Sequence, residues 1–288
     1  MTNTESSNYH DILNSKMYIT DIGSGRPILF LHGNPSNGFL WRNITPGVHD
    51  LGRVIVPDLI GMGKSDKPEI EYTFFDHYEY LEALIEKLQL KDIILVLHDW
   101  GSGLGFNYFA NHPENVAGVV FMEGIIQDIG TFFPPETLEF FRDLRTPEGR
   151  TKVVTEDLFM QTVLPSWVDR ELTDEELSAY REPFATESSR EVIYKWICSV
   201  PLDGQPAEVA NVVENYRNAL VASDIPKLFF HAQPGAFMPP IVADWLIKNL
   251  SNMESVDLAK GNHFVQEDHP ELISSSLRKW LLEHKFVG

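Results

Sequence analysis

The segment Leu97-His98-Asp99-Trp100-Gly101 ends an apolar run and leads into the glycine-rich residues 101–103. This pattern is typical of a buried strand that turns sharply into a helix and directs the side chain on the turn into a pocket. A carboxylate on this turn, here called the elbow, can attack an alkyl carbon and form an ester that water cleaves, whereas a serine would form a stable ether. Asp99 is therefore a candidate nucleophile. The alternative is that it caps the N-terminus of the following helix.

A candidate base and a candidate acid complete this chemistry. His263 follows the last predicted strand, late in the chain, where the base stands in the order nucleophile, acid, base. The loop after the preceding strand, residues 233–238, contains no carboxylate, and Asp224 lies before that strand. Glu123 ends an apolar run beside the elbow, and a buried carboxylate there needs a partner such as His263. We therefore predict that Glu123 is the acid.

Two side chains near the elbow can donate N–H groups to a leaving anion. Asn34 lies in His32-Gly33-Asn34-Pro35, directly after a predicted strand, and its amide carries two N–H donors. Trp100 adjoins the candidate nucleophile, and its indole N–H can donate to an anion. The alternatives are an ordinary turn asparagine before proline and a tryptophan that packs in the core.

The elements that must hold these residues alternate between strand and helix. Apolar runs predict strands, and helical spacing predicts helices over Tyr78–Leu90 and Gly103–Asn111. Fully apolar strands alternating with helices indicate an α/β fold with a mostly parallel sheet covered on both faces. From Gln127 the chain reads as mainly helical, so we predict a core of residues 1–125 and 223–288, interrupted by a helical cap of residues 126–222 over the site. The predicted strands are Pro27–His32, Arg53–Pro57, Asp92–Leu97, Val116–Met122, Lys227–Ala232 and Ser255–Ala259.

Composition excludes several classes of function. The net charge of −19 would repel a phosphate backbone, so nucleic acid is not an expected partner. No apolar run approaches the roughly 20 residues that span a bilayer, so no membrane partner is expected. The polar segment Met1–Asn14 lacks the pattern of a signal peptide, and we expect a cytoplasmic protein. Cys198 is the only cysteine, which excludes an intramolecular disulfide and a cysteine-based zinc site.

Taken together, these motifs resemble the haloalkane dehalogenases of the α/β-hydrolase superfamily, in the subfamily whose acid is a Glu after the sixth strand. The resemblance spans about residues 10–285. It implies an α/β-hydrolase fold, Asp99 as nucleophile, Glu123 as acid, His263 as base, and Asn34 with Trp100 as halide-stabilising donors. It also implies hydrolysis of a haloalkane to a primary alcohol, halide and a proton through a covalent alkyl-Asp99 ester. Its partners would be a haloalkane, water and chloride or bromide, with no metal or organic cofactor. The motifs are His32–Pro35, Leu40–Ile44, Asp58–Asp66, His98–Gly101, Met122-Glu123 and His263–Asp268.

The pocket facing Asp99 is expected to be apolar. Subfamily members often carry Trp-Pro-Arg in the cap, with the proline against the halide, whereas this chain has Trp196-Ile197-Cys198. This departure concerns the third wall of the halide pocket and not the five polar roles. The predicted lining residues are Phe132, Phe133, Phe141, Leu144, Phe159, Leu164, Trp167, Ile197 and Phe237.

Three rival functions share parts of this pattern. An epoxide hydrolase can share the elbow and protonates an alkoxide through cap tyrosines, for which Tyr180, Tyr194 and Tyr216 are candidates; Asn34 and Glu123 argue against it. The others are an oxygenase of the coelenterazine-luciferase type on the same framework and a non-catalytic binding protein. The sequence leaves open the natural substrate, the chain-length preference, the enantioselectivity, and whether the protein is a monomer or a homodimer.

Overall fold

A computed structural model describes residues 8–287 of the chain. Within them, one sheet of eight strands has the order β1-β2-β4-β3-β5-β6-β7-β8. From β4 to β8 in this order, neighbouring strands are parallel. Strand β1 pairs with β2 in antiparallel orientation, and β2 pairs with β4 in the same way. The mostly parallel α/β sheet expected from the sequence is confirmed. The strands are β1 Tyr9–Ile12, β2 Ser15–Ile22, β3 Pro27–Leu31, β4 Arg53–Pro57, β5 Ile93–Asp99, β6 Val116–Gly124, β7 Lys227–Pro234 and β8 Met253–Gly261.

The central strands are buried because their residues are apolar on both faces. Every residue of β3 and β5 is buried, as expected for strands covered by helices on both sides. In the parallel register Leu31 pairs with Leu97, and Leu97 pairs with Phe121, so β3, β5 and β6 end at the same edge. The three polar motifs that follow these strands therefore meet at the carboxyl edge of the sheet.

An N-terminal hairpin is present that the sequence reading did not predict. Strands β1 and β2 pair in antiparallel register around Leu13 and Asn14, both of which have positive φ angles. The sequence signal for β2 was an alternation with period two, in which Ser15, Met17 and Ile19 are the positions that face inward in the structure. The hairpin extends the sheet on the side of β4 and lies far along the sheet from the elbow strand.

Helices cover the sheet and fill the segment between β6 and β7. Residues 126–222 of that segment, here called the cap segment, contain α-helices together with 3-10 and π turns, and no described helix is long and apolar enough to cross a membrane. Helix α1 was predicted to begin at Tyr78 but begins at Phe74 in the structure. The reason is that Thr73 and Asp76 form a capping box, which starts the helix ahead of its apolar face. The α-helices of residues 8–287 are α1 Phe74–Lys87, α2 Trp100–Asn111, α3 Pro135–Leu144, α4 Pro147–Arg150, α5 Leu164–Ser166, α6 Asp174–Arg181, α7 Glu187–Ser199, α8 Ala207–Ala222, α9 Pro240–Asn249, α10 Val265–Asp268 and α11 Pro270–Glu283.

Candidate active site

The elbow is a strained turn between β5 and α2. Asp99 has φ +50° and ψ −128°, a conformation that L-residues rarely adopt and that is found at functional turns. The turn lies against the loop after β3, and a Cβ on Gly33 would stand 2.0 Å from Asp99 Oδ1. A Cβ on Gly101 would stand 2.3 Å from the carbonyl oxygen of Leu31. Glycine at these two positions therefore lets the β3 loop approach the elbow closely.

The Asp99 carboxylate does not cap helix α2. Its side chain makes no capping hydrogen bond, although Asp99 occupies the N-cap position. Instead, Oδ1 accepts a 2.6 Å hydrogen bond from the backbone N–H of Asn34, and the backbone N–H of Trp100 also hydrogen-bonds the carboxylate. Burial raises the pKa of Asp99, but His263, with smaller effects of His98 and the Trp100 backbone N–H, outweighs burial and holds it below its ordinary value. Asp99 is therefore ionised and oriented.

His263 lies between two carboxylates. Its Nε2 is 3.4 Å from Asp99 Oδ2, and its Nδ1 is 3.3 Å from Glu123 Oε2. The imidazole is fully buried. Burial lowers the pKa of His263, but the two carboxylates outweigh burial and raise it to about 9. The structure thus brings Asp99, His263 and Glu123 together as a connected set.

Glu123 stands at the end of β6, directly beside the elbow strand. Its φ of +45° is also left-handed, and its side chain is buried. Glu123 Oε2 accepts 2.8 Å hydrogen bonds from the backbone N–H groups of Ala236 and Phe237. The loop after β7, which carries no carboxylate, therefore supplies donors that hold this one. Asp224 is exposed and precedes β7, so it lies at the opposite edge of the sheet.

The side chains of Asn34 and Trp100 both point toward helix α7. The indole Nε1 of Trp100 donates a 3.2 Å hydrogen bond to the carbonyl oxygen of Trp196, and Asn34 Nδ2 donates a 3.3 Å bond to that of Ile193. Both side chains are buried. The two N–H donors predicted to hold a leaving anion thus lie on the same side of the elbow, against one turn of the cap segment.

Aromatic rings enclose the imidazole. Trp167 packs edge-on against His263 with ring centroids 5.0 Å apart, and the Phe237 ring is 5.2 Å from it. Phe133 and Phe141 stack on each other and both contact Phe237. Five of the predicted lining residues therefore form one aromatic cluster that reaches His263, with Phe132 packed on Phe133 at 4.6 Å.

The other predicted lining residues are buried, but their contact with the pocket stays a prediction. Leu144, Phe159 and Leu164 are buried within the cap segment, and Ile197 is buried on α7 beside Trp196. A surface cavity of about 690 Å³ lies elsewhere, between β2, the loop after β3 and the cap segment, and neither Asp99 nor His263 lines it.

An ionic cluster that the sequence reading missed joins the loop that carries His263, here called the base loop after the predicted role of His263, to the cap segment. Glu267, four residues after His263, is buried. Its carboxylate accepts hydrogen bonds from Nη1 and Nη2 of Arg42 at 2.7 and 2.8 Å. Arg170 donates to the same carboxylate at 2.5 Å and to the Glu267 carbonyl at 2.8 Å. Tyr180 donates its hydroxyl to Glu267, and Glu176 bridges both arginines. The only sequence signal for this cluster was that Glu267 follows His263 by four residues.

His98 is a second residue that the sequence reading did not single out. Its Nε2 donates a 2.9 Å hydrogen bond to the backbone carbonyl of His263, since a carbonyl can only accept. Burial, reinforced by the nearby His263, lowers the pKa of His98 to about 3, so its ring is neutral. His98 therefore holds the backbone of His263 from the elbow strand with a neutral ring.

Comparisons with known proteins agree with this geometry. Residues 26–270 match the family model described as alpha/beta hydrolase fold. The chain is 42% identical to a haloalkane dehalogenase of Mesorhizobium japonicum over 94% of this chain and 90% of that protein, and 41% identical to one of Sphingobium indicum over 93% and 92%. The crystal structure of haloalkane dehalogenase DbeA from Bradyrhizobium elkani superposes with a TM-score of 0.93 at 40% identity, covering 96% of this chain and 97% of that one. The chain belongs to the haloalkane dehalogenases, hydrolases of the α/β-hydrolase fold that act on carbon–halogen bonds.

Proposed function

We propose that Asp99 is the nucleophile, His263 the base, Glu123 the acid, and Asn34 with Trp100 the halide-stabilising donors of this dehalogenase. The observation that carries the assignment is that the two Asp99 oxygens have different partners. The backbone N–H of Asn34 donates to Oδ1 and that of Trp100 donates to the same carboxylate, while Oδ2 faces His263. Oδ2 is thus the oxygen available to attack.

In the first step Oδ2 attacks the carbon that bears the halogen. A C–O bond forms, the C–X bond breaks with its electron pair, and halide leaves toward the side-chain N–H groups of Trp100 and Asn34. Halide needs no proton to leave, because donors in a buried, water-poor pocket stabilise its charge. The product of this step is an alkyl ester of Asp99.

In the second step His263 takes a proton from a water that attacks the ester carbonyl. The carbonyl oxygen is Oδ1, already held by the backbone N–H of Asn34; this donor, together with the Trp100 backbone N–H that bonds the same carboxylate, stabilises the negative charge of the tetrahedral intermediate. Glu123 stabilises the resulting imidazolium. Collapse of the intermediate expels the alkoxide, which takes a proton from the imidazolium and leaves as the alcohol; the Asp99 carboxyl group then loses its proton through His263 to solvent, which restores the carboxylate.

Esterification also prepares the base. In the free enzyme the Asp99 charge is one of the two that raise the pKa of His263 to about 9, so the ring is protonated at neutral pH. The ester carries no charge, which lowers the pKa of His263 and releases its proton before water attacks. The nucleophile therefore controls when its own base becomes active.

We further propose that residues 126–222 form the cap and that a haloalkane lies between the aromatic cluster and Asp99. An apolar wall and buried donors suit a substrate whose only polar feature is its carbon–halogen bond. We also propose that the protein acts in the cytoplasm on chloro- or bromoalkanes, with water as second substrate and primary alcohols as products.

The tyrosines argue against epoxide opening. An epoxide hydrolase must protonate an alkoxide, and the three candidate hydroxyls already donate elsewhere. Tyr180 donates to Glu267, Tyr216 donates to the Ile125 carbonyl at 2.5 Å, and Tyr194 donates to the Arg145 carbonyl at 3.4 Å. These bonds favour dehalogenation as the reaction of this site.

The test incubates the purified protein with 1-bromobutane, 1,2-dibromoethane and styrene oxide, and follows bromide and diol. We expect bromide from both bromoalkanes, no diol, and loss of bromide release in Asp99→Asn. Diol without bromide would contradict the proposal, and so would bromide release that survives Asp99→Asn.

A further inference from the structure

The Trp100 indole has a single N–H group, and that group is already engaged. It donates to the carbonyl oxygen of Trp196 at 3.2 Å, inside the protein. Asn34 differs, because its amide has two N–H groups and only one of them donates to Ile193. A halide can therefore bind Asn34 without displacing a partner, but it must share or displace a carbonyl at Trp100.

The competing carbonyl belongs to the frayed end of helix α7. In a continuing α-helix the Val200 N–H would bond Trp196 O, but it bonds Ile197 O instead, because the helix ends at Ser199. Trp196 O therefore depends on Trp100 for a hydrogen bond in a buried setting. The last carbonyls of a helix also carry its negative dipole end, which disfavours an anion nearby.

Packing keeps this carbonyl in place. The Trp196 ring is stacked on Trp100 at 4.7 Å and on His77 at 4.1 Å, and it is fully buried. Burial, with a smaller effect of His32, lowers the pKa of His77 to about 3, so the ring next to Trp196 adds no positive charge that would attract halide. The stack thus orients the Trp196 carbonyl toward the indole N–H.

We propose that the Trp196 carbonyl competes with product halide for the Trp100 N–H, so that the last turn of α7 weakens halide binding and hastens halide release. The inference rests on the proposed role of Trp100 and makes Trp196 a positioning residue of that site. The backbone conformation of α7 sets the balance between the Trp196 carbonyl and halide at the Trp100 N–H. The residue after Trp196, at position 197, controls that conformation.

The test replaces Ile197. Proline disfavours the helical conformation of the residue before it, so Ile197→Pro turns the Trp196 carbonyl away from Trp100. One lost hydrogen bond of ordinary strength corresponds to bromide binding about threefold to tenfold tighter. We expect that gain from quenching of tryptophan fluorescence at constant ionic strength, together with slower bromide release in stopped-flow measurements.

Two matched variants control for side chain and proline content. Ile197→Val keeps the N–H and the branched shape, and Glu187→Pro places proline at the first position of the same helix, where it is tolerated. Glu187→Pro should bind bromide as the wild type does, and Ile197→Val, at a predicted lining residue, measures the effect of the side chain alone. Unchanged or weaker binding in Ile197→Pro, or equally tight binding in Ile197→Val, would overturn the inference.

Two further measurements keep the outcomes distinct. Chloride NMR line broadening of wild type against Trp100→Phe tests whether halide binds at Trp100; equal broadening would refute the proposed donor role instead. If Ile197→Pro does not fold, hydrogen exchange of the wild type decides the matter. Saturating bromide should speed exchange in the last turn of α7 but not in its first turn, and unchanged exchange in both turns would refute the competition.

Discussion

Replacing Glu123 by Gln should separate the two chemical steps. The glutamine oxygen can still accept from Ala236 and Phe237, whose N–H groups lie 2.8 Å from Oε2, so the shape of the site is retained. What is lost is the negative charge 3.3 Å from His263 Nδ1. At roughly 4 Å between charge centres and an effective dielectric constant of about 20, that charge stabilises the imidazolium by about 4 kcal/mol. Ester hydrolysis forms this imidazolium and should slow about 10²- to 10³-fold, whereas alkylation, which does not form it, should change little.

The assay is a rapid-quench experiment with 1-bromobutane. Glu123→Gln should release one bromide per enzyme in a fast burst and then turn over slowly, with the butyl ester of Asp99 visible by mass spectrometry. Asp224→Asn is the control, because Asp224 is exposed at the other edge of the sheet and its loss should leave both phases unchanged. Equal, small effects of the two substitutions, or a burst that slows as much as the steady state, would refute the reasoning.

Three further predictions follow from the same contacts. His263→Phe removes the base and should trap the alkyl ester, seen as a lasting mass increase on the peptide that contains Asp99. In the wild type, the ester should accumulate more as the pH falls through the pKa of His263 in the ester, which lies below the value of about 9 in the free enzyme because Asp99 no longer carries a charge; a protonated His263 cannot accept a proton from water, and an acid-quench series measures this. Glu267→Gln removes a charge that Arg42 and Arg170 share; both guanidinium groups are partly exposed and keep Glu176, so the free energy of unfolding should fall by about 1.5–3 kcal/mol. Asp203→Asn, which breaks an exposed pair, should change it by no more than about 0.5 kcal/mol in the same denaturant titration.

The parallel core could be predicted because its strands appear in the sequence as runs of apolar residues. Arg53–Pro57 was predicted with its observed bounds, and the elbow strand was predicted to within two residues of its end at Asp99. The N-terminal hairpin was missed because half of β2 is polar, and its pattern is visible only as alternation. The edge strand β8 was predicted too short, since its mostly accessible residues carry little apolar signal.

The polar roles could be proposed from motif and position, but their partners could not. Glu123 was chosen because the loop after β7 lacks a carboxylate; that the same loop donates two N–H groups to Glu123 depends on backbone orientation, which no residue type encodes. The engagement of Trp100 by a carbonyl of α7 depends on where a helix ends, within one residue. Such contacts join segments that lie far apart in sequence, and pattern reading does not reach them.

The cluster around Glu267 limits how this enzyme can be recombined. Arg42 comes from the core, Glu267 from the base loop, and Arg170, Glu176 and Tyr180 from the cap segment, so three separately encoded pieces share one set of charges. A cap segment grafted from a homologue that lacks these three residues would leave Glu267 and Arg42 paired only with each other. A working chimera must therefore transfer residues 170–180 as a unit matched to its recipient. Changes of specificity are made more safely in the aromatic cluster, which contains no charged side chain.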